Sequence, residues 1–581
     1  MVNVLGISAY FHDSSAALVK DGVVVAAADE ERFTRVKHDN AFPINAINYC
    51  LKEGGVTAEQ IDYVAFYEKP FIKFERVLNQ FLQSFPSGGY TFYKAMPPWL
   101  TQKLRIRQTL RKKLGFRGRT LFLEHHMAHA ASSYLASPFD ESAILTIDGV
   151  GEITTAACGY AKGNDITLTR RLEFPHSLGL LYSTITAYLG FKVNNDEYKV
   201  MGLAPYGKPT YYDKLRKTLA IGEDGSVHLD MRYFVYTKEL SMAGKKLFEE
   251  LGPPRKREEP VEQMHKDIAA SVQKITEEVI IKMARSVYEE TKSKNLCVAG
   301  GVALNSVANG KILRSTPFEN IFIQPSAGDS GTSLGAALYA YNTILKNPRK
   351  YVQTHAYLGP GYSRDQIKKY LDENKIVYSE FRDERELLQK VSKLIWENNV
   401  IGWFQGRMEW GPRALGARSI LSNPCNPEMK DILNLKVKHR EAFRPFAPAV
   451  CVDDADEYFE CDVPVQAPTD YMLMVYPIRE EKRALLPAVT HVDGSGRLQT
   501  VRREQNPLYY DLIKEFGKLS GVPVLVNTSF NIRGEPIVCE PRHAYRCMMG
   551  TGIDFLVMDK FLIARSANPK DMWDSEKVAG D

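Results

Sequence analysis

The sequence predicts an α/β protein with more than one domain, and three observations support this. Short apolar segments such as 142–147 and 296–299 have the length and composition of buried strands. Longer segments such as 264–291 have the apolar spacing of helices. At 581 residues, the chain is too long for a single hydrophobic core. Strands that alternate with helices in this way indicate α/β architecture.

The first element is a predicted β-hairpin with a polar tip. Residues 2–8 are apolar and β-branched, and the polar run FHDSS interrupts them. Residues 16–28 then alternate around Asp21-Gly22, a dipeptide that favours a tight hairpin turn. Further strands are predicted at 63–67, 142–147, 296–299 and 320–324.

A domain boundary is predicted between about residues 347 and 364. The run NPRKYVQTHAYLGPGYSR clusters Gly, Pro and polar residues there, after one periodic region and before the next. We therefore expect a first domain over 1–350 and a second over 360–581.

The composition excludes several classes of protein. The chain has 75 basic and 70 acidic residues, so its formal charge of +5 gives no support for nucleic-acid binding. The eight cysteines form no C-x-x-C pair, which favours reduced thiols over a disulfide framework or a zinc knuckle. The sequence has neither a secretory signal nor an apolar run long enough to span a membrane. We expect a cytoplasmic protein.

Two segments leave alternatives open. Residues 102–119 contain eight Lys or Arg with leucines between them, which favours a solvated helix face over phosphate contacts. Residues 68–101 are rich in Phe, Tyr and Trp. They fit either the wall of a ligand pocket or part of a core.

A candidate metal site is built on His125 and His129. Residues four apart lie one turn apart on the same face of a helix, so both imidazoles can reach one ion, whereas His126 projects elsewhere. Asp148 ends the strand SAILTID, and Asp329 lies in the small-residue loop PSAGDSGTS. Two imidazoles and two carboxylates suit iron, manganese or zinc. The H-x-x-x-H spacing alone also fits histidines of a core or a surface.

Small-residue turns provide candidate nucleotide contacts. Gly149 follows the strand that ends at Asp148, and Gly300 and Gly301 precede Asn305 after the strand LCVAG. Backbone N–H groups at such turns can approach a phosphate or a sugar closely. Together with the N-terminal hairpin and the loop at 328–331, these turns resemble those of the actin-like ATPase and sugar-kinase superfamily.

Ten motifs are distributed along the whole chain: GISAYFHDSSAALVKDG, EERFTRVKHD, HHMAHAASSY, DGVGE, FPHSLGLLYS, YKVMGLAPYG, AGGVALN, WGPRALGARSIL, KHREAFRPFAPAV and NTSFNIRGEPIV. In this order, they resemble the motifs of the O-carbamoyltransferase family that includes the nodulation-factor, tobramycin, cephamycin and ansamycin carbamoylating enzymes. The resemblance implies an N-terminal actin-like domain, similar to the transferases of tRNA threonylcarbamoyl modification, and a C-terminal YrdC-like α/β domain.

The resemblance also implies a reaction in two halves. ATP and carbamoyl phosphate would give carbamoyl adenylate and pyrophosphate in the C-terminal domain. The carbamoyl group, carried internally, would then pass to a hydroxyl of a natural-product or sugar-like acceptor in the N-terminal domain, with release of AMP. Fe(II) or another divalent metal is the implied cofactor, and Mg²⁺ is a candidate companion of ATP.

Roles follow where residues match the family motifs. His12 matches the residue that acts on the acceptor hydroxyl, and Lys37 matches a contact of carbamoyl adenylate. The implied metal ligands are His125, His129, Asp148 and Asp329. The implied nucleotide contacts of the N-terminal domain are Lys37, Gly149, Gly300, Gly301 and Asn305. The implied ATP and carbamoyl-phosphate contacts of the C-terminal domain are Arg413, Arg418, Lys438, Arg444, Arg497, Ser529, Asn531 and Arg533.

Two other functions are kept as alternatives. A tRNA threonylcarbamoyl-type enzyme would use the same domain types, but the near-balanced charge gives it little support. A nonenzymatic actin-like nucleotide switch leaves the arginines of the second domain unexplained. We therefore expect a small-molecule hydroxyl acceptor and no nucleic-acid or membrane partner. A homodimer is one candidate assembly. The sequence does not identify the acceptor.

Overall fold

The computed structural model describes residues 1–86, 88–438, 440–441, 443–461 and 467–569. They form two compact units. The first contains Met1–Glu30 and His38–Gln353, and the second contains Glu31–Lys37 and the chain from Thr354. The main division falls inside the region predicted as a boundary. Helix α1 (Glu31–Thr34) is the exception, because it lies in the N-terminal sequence but belongs to the second unit.

Local contacts explain why the segment Glu31–Lys37 belongs to the second unit. Phe33 packs against a buried cluster formed by Met408, Ala414, Ile537 and Cys539. Arg32 Nη2 donates a hydrogen bond to the Gly411 carbonyl at 2.9 Å, and Arg35 Nη1 donates to the Ile537 carbonyl at 2.7 Å. The predicted first domain includes this segment, whereas its side chains bond within the second unit.

Every strand predicted in the first unit is present. The strands of this unit are β1 (Asn3–Ser8), β2 (Ser15–Lys20), β3 (Val23–Asp29), β4 (Tyr63–Phe66), β5 (Arg119–Phe122), β6 (Glu141–Ile147), β7 (Thr154–Lys162), β8 (Asp165–Glu173), β9 (Leu219–Ile221), β10 (Val227–Leu229), β11 (Asn295–Ala299) and β12 (Asn320–Ile323). Five of them, β5 and β7 to β10, were not predicted. The turn between β2 and β3 contains Asp21 and Gly22, both with positive φ, as the hairpin signal predicts.

Two sheets of the first unit repeat one topology. Their strand orders are β3-β2-β1-β4-β5 and β12-β11-β6-β7-β8. In each sheet, three consecutive strands form an antiparallel meander, and the first of these strands starts a run of three parallel strands. This duplication is the arrangement expected of the predicted actin-like fold, and the α/β class is confirmed.

Helices of the first unit cover the sheets and carry several motifs. They are α2 (Ile44–Gly54), α3 (Pro70–Ser84), α4 (Gly89–Thr101), α5 (Ile106–Leu114), α6 (His125–Tyr134), α7 (Leu178–Tyr188), α8 (Glu197–Leu203), α9 (Tyr212–Arg216), α10 (Lys245–Leu251), α11 (Gln263–Thr291), α12 (Ser306–Ser315) and α13 (Gly331–Tyr339). Helix α13 contacts both α6 and β1. A Cβ at Gly335 would lie 1.9 Å from the Ala128 carbonyl oxygen, so this helix pair requires a glycine there.

The second unit contains one mixed sheet and a two-stranded ribbon. Its strands are β13 (Ser379–Glu380), β14 (Ile401–Phe404), β15 (Arg418–Ser422), β16 (Ala447–Cys451), β17 (Val475–Pro477), β18 (Ser495–Arg497), β19 (Gln499–Val501), β20 (Val524–Ser529), β21 (Phe555–Met558) and β22 (Phe561–Ala564). The sheet order is β13-β22-β21-β14-β15-β20-β16-β19, and β17 pairs with β18. Two neighbouring pairs of the sheet, β14 with β21 and β16 with β19, are parallel, and the other five are antiparallel, so the sheet is mixed.

Helices again complete the core of the second unit. They are α14 (Arg364–Glu373), α15 (Glu384–Trp396), α16 (Met429–Ile432), α17 (Ala455–Tyr458), α18 (Ala467–Asp470), α19 (Glu480–Arg483), α20 (Pro507–Ser520) and α21 (Pro541–Met549). Trp403 of β14 and Phe516 of α20 are fully buried in this core. Across the described ranges, no helix is both long enough and apolar enough to cross a membrane.

Candidate active site

Helix α6 presents His125 and His129 on one face, as their spacing predicts. Both imidazoles are buried, and their Nε2 atoms are 3.1 Å apart. The N-terminus of the helix is held by Glu152, whose two carboxylate oxygens each accept a hydrogen bond from the His125 backbone N–H at 3.1 Å. A carboxylate is stabilising at this positive end of a helix. Glu152 therefore fixes the turn that carries the first histidine.

Asp148 follows β6 and faces the histidine pair. Its Oδ1 accepts a hydrogen bond from the Gly301 backbone N–H at 2.9 Å, and its Oδ2 lies 3.1 Å from His125 Nε2. The neighbouring turn requires Gly300, which has a φ of +99°, because a Cβ there would lie 2.2 Å from the Ile147 carbonyl oxygen. The small-residue turn thus orients a carboxylate by a backbone donor.

Asp329 completes the group from the loop before α13. Its Oδ1 lies 3.6 Å from His125 Nε2 and 3.7 Å from His129 Nε2. Both of its carboxylate oxygens are buried and have no hydrogen-bond partner within the described residues. Such atoms are costly to bury unless a cation or a donor satisfies them.

The four side chains fit a divalent metal ion. One ligand atom from each of His125, His129, Asp148 and Asp329 lies within 4.8 Å of the others, and all four residues are buried. The two nitrogens and two carboxylate oxygens form a mixed donor set typical of first-row metals. Although burial raises the pKa of Asp148, the hydrogen bond with His125 and the charge of His129 hold it well below its usual range. The carboxylate is thus kept ionised, as a metal ligand must be.

The adjacent histidine, His126, does not belong to this group. Its Nδ1 lies 2.8 Å from Thr146 Oγ1 on β6. Burial and the charges of His125 and His129 hold its pKa well below the usual value. It is a neutral packing histidine that joins the helix to the sheet, as the helical spacing predicts.

His12 lies at the hairpin tip and is oriented by Asp13. The tip is anchored by Ser15, whose Oγ donates to the Ser330 carbonyl at 2.7 Å, next to the loop of Asp329. His12 Nδ1 lies 3.0 Å from Asp13 Oδ2, and its Nε2 lies 4.0 Å from Asp329 Oδ2. One imidazole nitrogen is therefore held by a carboxylate, while the other faces the candidate metal ligands.

Asp13 is itself held by a second histidine. Its Oδ1 lies 2.6 Å from His38 Nδ1, and His38 Nε2 lies 2.7 Å from Asn195 Oδ1. Burial raises the pKa of Asp13, but hydrogen bonds from His12 and His38 lower it well below the usual range. Burial lowers the pKa of His12, while the charges of Asp329 and Asp13 raise it to about 10. The result is an ionised Asp–His pair of fixed orientation.

Four of the predicted nucleotide-contact residues, Gly149, Gly300, Gly301 and Asn305, belong to the first unit, and Lys37 belongs to the second. Gly149 is half-buried, and its carbonyl accepts a hydrogen bond from Ser177 Oγ at 2.8 Å. The Asn305 side chain caps α12 by accepting from the Ala308 N–H at 3.1 Å. Gly300 and Gly301 form the turn beside Asp148. Asn305 thus has a structural role in starting a helix in addition to its predicted one.

In the second unit, Lys438 contacts two other predicted residues. Its buried Nζ donates to the Asn531 Oδ1 at 2.9 Å and to the Ser529 Oγ at 3.3 Å. It also donates to the Ser529 carbonyl. Burial, followed by the charge of Arg440, holds the pKa of Lys438 well below its usual value, and Arg444 and Lys37 act in the same direction. Lys37 thus lies among the cations of the second unit.

The predicted arginines of the second unit differ in their surroundings. Arg418 is fully buried, stacks 3.6 Å from the Phe404 ring centroid, and donates to the carbonyls of Gln405 and Pro360. Arg444 is half-buried, with its Nη1 3.6 Å from Glu441 Oε2. Three others lie at more accessible positions, half-buried or exposed: Arg413, Arg497 and Arg533. Direct hydrogen bonds join Lys438, Ser529 and Asn531.

Sequence reasoning missed four residues of the site. Asp13, His38 and Glu152 lie inside motifs identified above, FHDSS, TRVKHD and DGVGE, but their spacing to their partners carries no local signal. Asn195, the fourth, is 157 residues from His38 in sequence. Their functions arise from contacts that only the folded chain creates.

Comparison with known proteins identifies the family. Residues 3–338 match the family model described as Carbamoyltransferase N-terminus, and residues 392–565 match the one described as Carbamoyltransferase C-terminus. The chain belongs to the carbamoyltransferase family. The protein is thus a transferase of carbamoyl groups.

This carbamoyltransferase has full-length relatives. An uncharacterized protein of Synechocystis sp., sll1178, is 49% identical over 98% of this chain and 98% of its own. The nodulation protein NolNO of Sinorhizobium fredii is 40% identical over 97% of this chain and 80% of its own. Among solved structures, HypF of T. kodakarensis aligns with 59% of this chain and 48% of its own, at 15% identity and a TM-score of 0.31. That structural similarity is too low to support a functional argument.

Proposed function

We propose that this protein is an ATP-dependent O-carbamoyltransferase that forms carbamoyl adenylate in the second unit and transfers the carbamoyl group in the first. The observation that carries this proposal is the His12–Asp13 pair beside the four buried metal-ligand candidates. A fixed imidazole next to a divalent-metal site suits the attack of a hydroxyl on a carbonyl.

The residues His125, His129, Asp148 and Asp329 would hold Fe(II) or another divalent ion. When bound, this ion supplies Lewis-acid stabilisation for the oxygens of the carbamoyl donor. The unpartnered oxygens of Asp329 support a cation at this position. Gly301 keeps Asp148 aimed at the same point through its N–H.

His12 would move the proton of the acceptor hydroxyl. Asp13 Oδ2 accepts a hydrogen bond from His12 Nδ1–H, which directs Nε2 toward the reacting oxygen. Burial lowers the pKa of His12 and the charge of Asp329 raises it, so a divalent ion that offsets Asp329 would lower this pKa and free Nε2 to take a proton. As the hydroxyl oxygen attacks the carbamoyl carbon, Nε2 takes the proton, and AMP leaves with the electrons of the broken C–O bond. His38 holds the second oxygen of Asp13 and so fixes the orientation of the pair.

The second unit would bring two anionic substrates together. Arg440, Arg444 and Lys37, the cations around Lys438, provide positive charge for ATP and carbamoyl phosphate. Burial and these charges lower the pKa of Lys438, and a bound anion would stabilise its charged form. Arg418 has a different role in this proposal, because its Nη1 and Nη2 atoms donate to main-chain carbonyls. It would shape the loop around Gly406 rather than contact a phosphate.

The acceptor is proposed to be a small molecule with a hydroxyl group, natural-product or sugar-like, as the family resemblance implies. Pyrophosphate release by the purified, metal-loaded protein tests the first half-reaction, with ATP present and carbamoyl phosphate added or omitted. We expect release that depends on carbamoyl phosphate. Release without carbamoyl phosphate, or none at all even with candidate hydroxyl acceptors added, would contradict carbamoyl-adenylate formation.

A further inference from the structure

Three basic side chains of the first unit form a group that the proposed mechanism does not use. We call Lys73, Arg76 and Lys103 the cation cluster. Lys73 and Arg76 belong to α3, and Lys103 begins the short 3₁₀ turn Lys103–Arg105 that follows α4. Lys73 and Arg76 lie in the aromatic segment 68–101, and Lys103 lies in the basic segment 102–119.

The three basic side chains of the cation cluster have two carboxylates near them, those of Glu68 and Glu152, so positive charge is in excess. Lys73 pairs with buried Glu68, Nζ to Oε2 at 2.6 Å. Arg76 stacks 4.8 Å from the Phe174 ring centroid, and its Nε and Nη1 are buried without a hydrogen-bond partner among the described residues. The nearby carboxylate of Glu152 already accepts hydrogen bonds from two backbone N–H groups. Buried guanidinium donors without an acceptor are unfavourable unless a ligand satisfies them.

The lowered pKa values of Lys103 and Arg76 agree with this excess of positive charge. Burial lowers the pKa of Lys103 to about 8, and the charge of Lys73 lowers it further than Glu68 restores it. Burial lowers the pKa of Arg76 to about 10. A bound anion would offset the mutual repulsion of these groups.

Aromatic contacts connect the cation cluster to the reacting centre. The ammonium groups of Lys73 and Lys103 lie 4.7 and 5.8 Å from the Phe11 ring centroid, and Lys103 lies 4.8 Å from the Trp99 ring. The Phe11 ring is in turn 4.6 Å from the ring of His12. A molecule with one end against the cluster and Phe11 would therefore have its other end near His12.

We propose that the cation cluster binds a carboxylate or phosphate group of the hydroxyl acceptor, so that the substrate is a hydroxy acid or a phosphorylated alcohol. This inference rests on the proposed function, which makes His12 the group that acts on the acceptor hydroxyl. Arg76 supplies hydrogen-bond donors, Lys103 supplies an ammonium group, and Phe11 and Trp99 exclude water from the contact. Neutral alcohols would lack this contact and bind weakly.

Competitive labelling of the full-length protein tests binding without any need for turnover. Trace acetic anhydride acetylates neutral amines, and mass spectrometry gives the rate at Lys103 as a function of pH. The probes are inorganic phosphate and D-glycerate, with glycerol as the neutral match of glycerate and AMP as the phosphate of the donor nucleotide. Ionic strength is held constant with sodium chloride.

Both anions are expected to slow labelling of Lys103, by about ten-fold at pH 7 if the pKa rises by about one unit, and glycerol is not. The variant Arg76→Gln should need about ten-fold more phosphate for the same protection, since it loses charge-assisted donors. The matched control is Lys94→Gln, which removes an exposed lysine of α4 that lies over Tyr90. In this variant, phosphate should protect Lys103 at the same concentrations as in the wild type.

Several results would overturn the inference. Protection by AMP that equals protection by phosphate and glycerate would assign the cluster to the donor nucleotide. Equal effects of glycerol and glycerate, or no protection by either anion, would exclude an anion site. A failure of pyrophosphate release with Lys103 protection intact would refute the carbamoyl-adenylate proposal while leaving an anion site in place, so the two failures are distinguishable.

Discussion

The candidate metal group of the first unit and the lysine-centred cluster of the second unit carry opposite charges. In the first, two buried carboxylates and two buried imidazoles bring their ligand atoms close together, an arrangement that a cation stabilises. In the second, buried Lys438 lies among other cations and hydrogen-bonds to neutral oxygens of Ser529 and Asn531. That arrangement favours anions.

This difference in charge gives a physical reason for one chain to divide the reaction between two sites. Joining ATP to carbamoyl phosphate gathers negative charge, whereas activating a hydroxyl requires a base and a divalent ion held by carboxylates. A single pocket with both sets of groups would let its own cations and carboxylates pair with each other. Variants can separate the two halves and so test the comparison.

The largest effect is expected for His12→Asn. Carbamoyl transfer should fall by about 10²–10⁴-fold, the usual contribution of a general base. Pyrophosphate release that depends on carbamoyl phosphate should stay at the wild-type rate. The two rates are measured on the same metal-loaded preparation. Loss of pyrophosphate release in this variant would show that the two units do not divide the reaction as proposed.

Metal affinity should depend on Asp329. We expect Asp329→Asn to weaken Fe(II) binding by about 100-fold or more, because even loss of an outer partner costs about 10–100-fold. Anaerobic equilibrium dialysis followed by elemental analysis measures this. Asp165→Asn, an exposed aspartate at the start of β8, is the control and should retain the metal. Equal metal content in both variants would exclude this four-residue site.

On the anionic side, Arg444→Ala should reduce pyrophosphate release by about 10–100-fold through the loss of a charge-assisted contact, and carbamoyl transfer should fall with it. Arg503→Ala removes an exposed arginine of the same unit that pairs with Asp511, and it should have little effect. Comparable losses in the two variants would indicate a general effect of charge rather than a site at Arg444.

The smallest effect concerns stability of the turn beside Asp148. Gly300→Ala should lower the free energy of unfolding by about 2–3 kcal/mol, because the alanine would have φ near +99° and its Cβ would meet the Ile147 carbonyl. Gly163→Ala is the control, with φ of +58° and open space around the Cβ, and should cost about 1 kcal/mol. Urea denaturation measures both. Equal losses would show that the close approach at Gly300 is unimportant.

Much of the fold and part of the site were predictable because their signals are local. The hairpin around Asp21-Gly22, seven strands of the first unit and the helix Gln263–Thr291 follow from periodicity and turn chemistry. His125 and His129 share a face because they are four residues apart on a helix, which the sequence states directly. The positions of Asp148 and Asp329 after predicted strands made them candidate ligands, and the family motifs then added His12.

The sequence by itself determined the α/β class, the carbamoyltransferase family and the residue types of the two sites. Only the tertiary structure decided that Asp13 joins His12 to His38, that Glu152 holds the start of α6, and that the segment Glu31–Lys37 packs with the second unit. The physical reason is the range of the interactions. Periodicity and turns depend on neighbours in the chain, whereas these hydrogen bonds and apolar contacts join residues that only folding brings together.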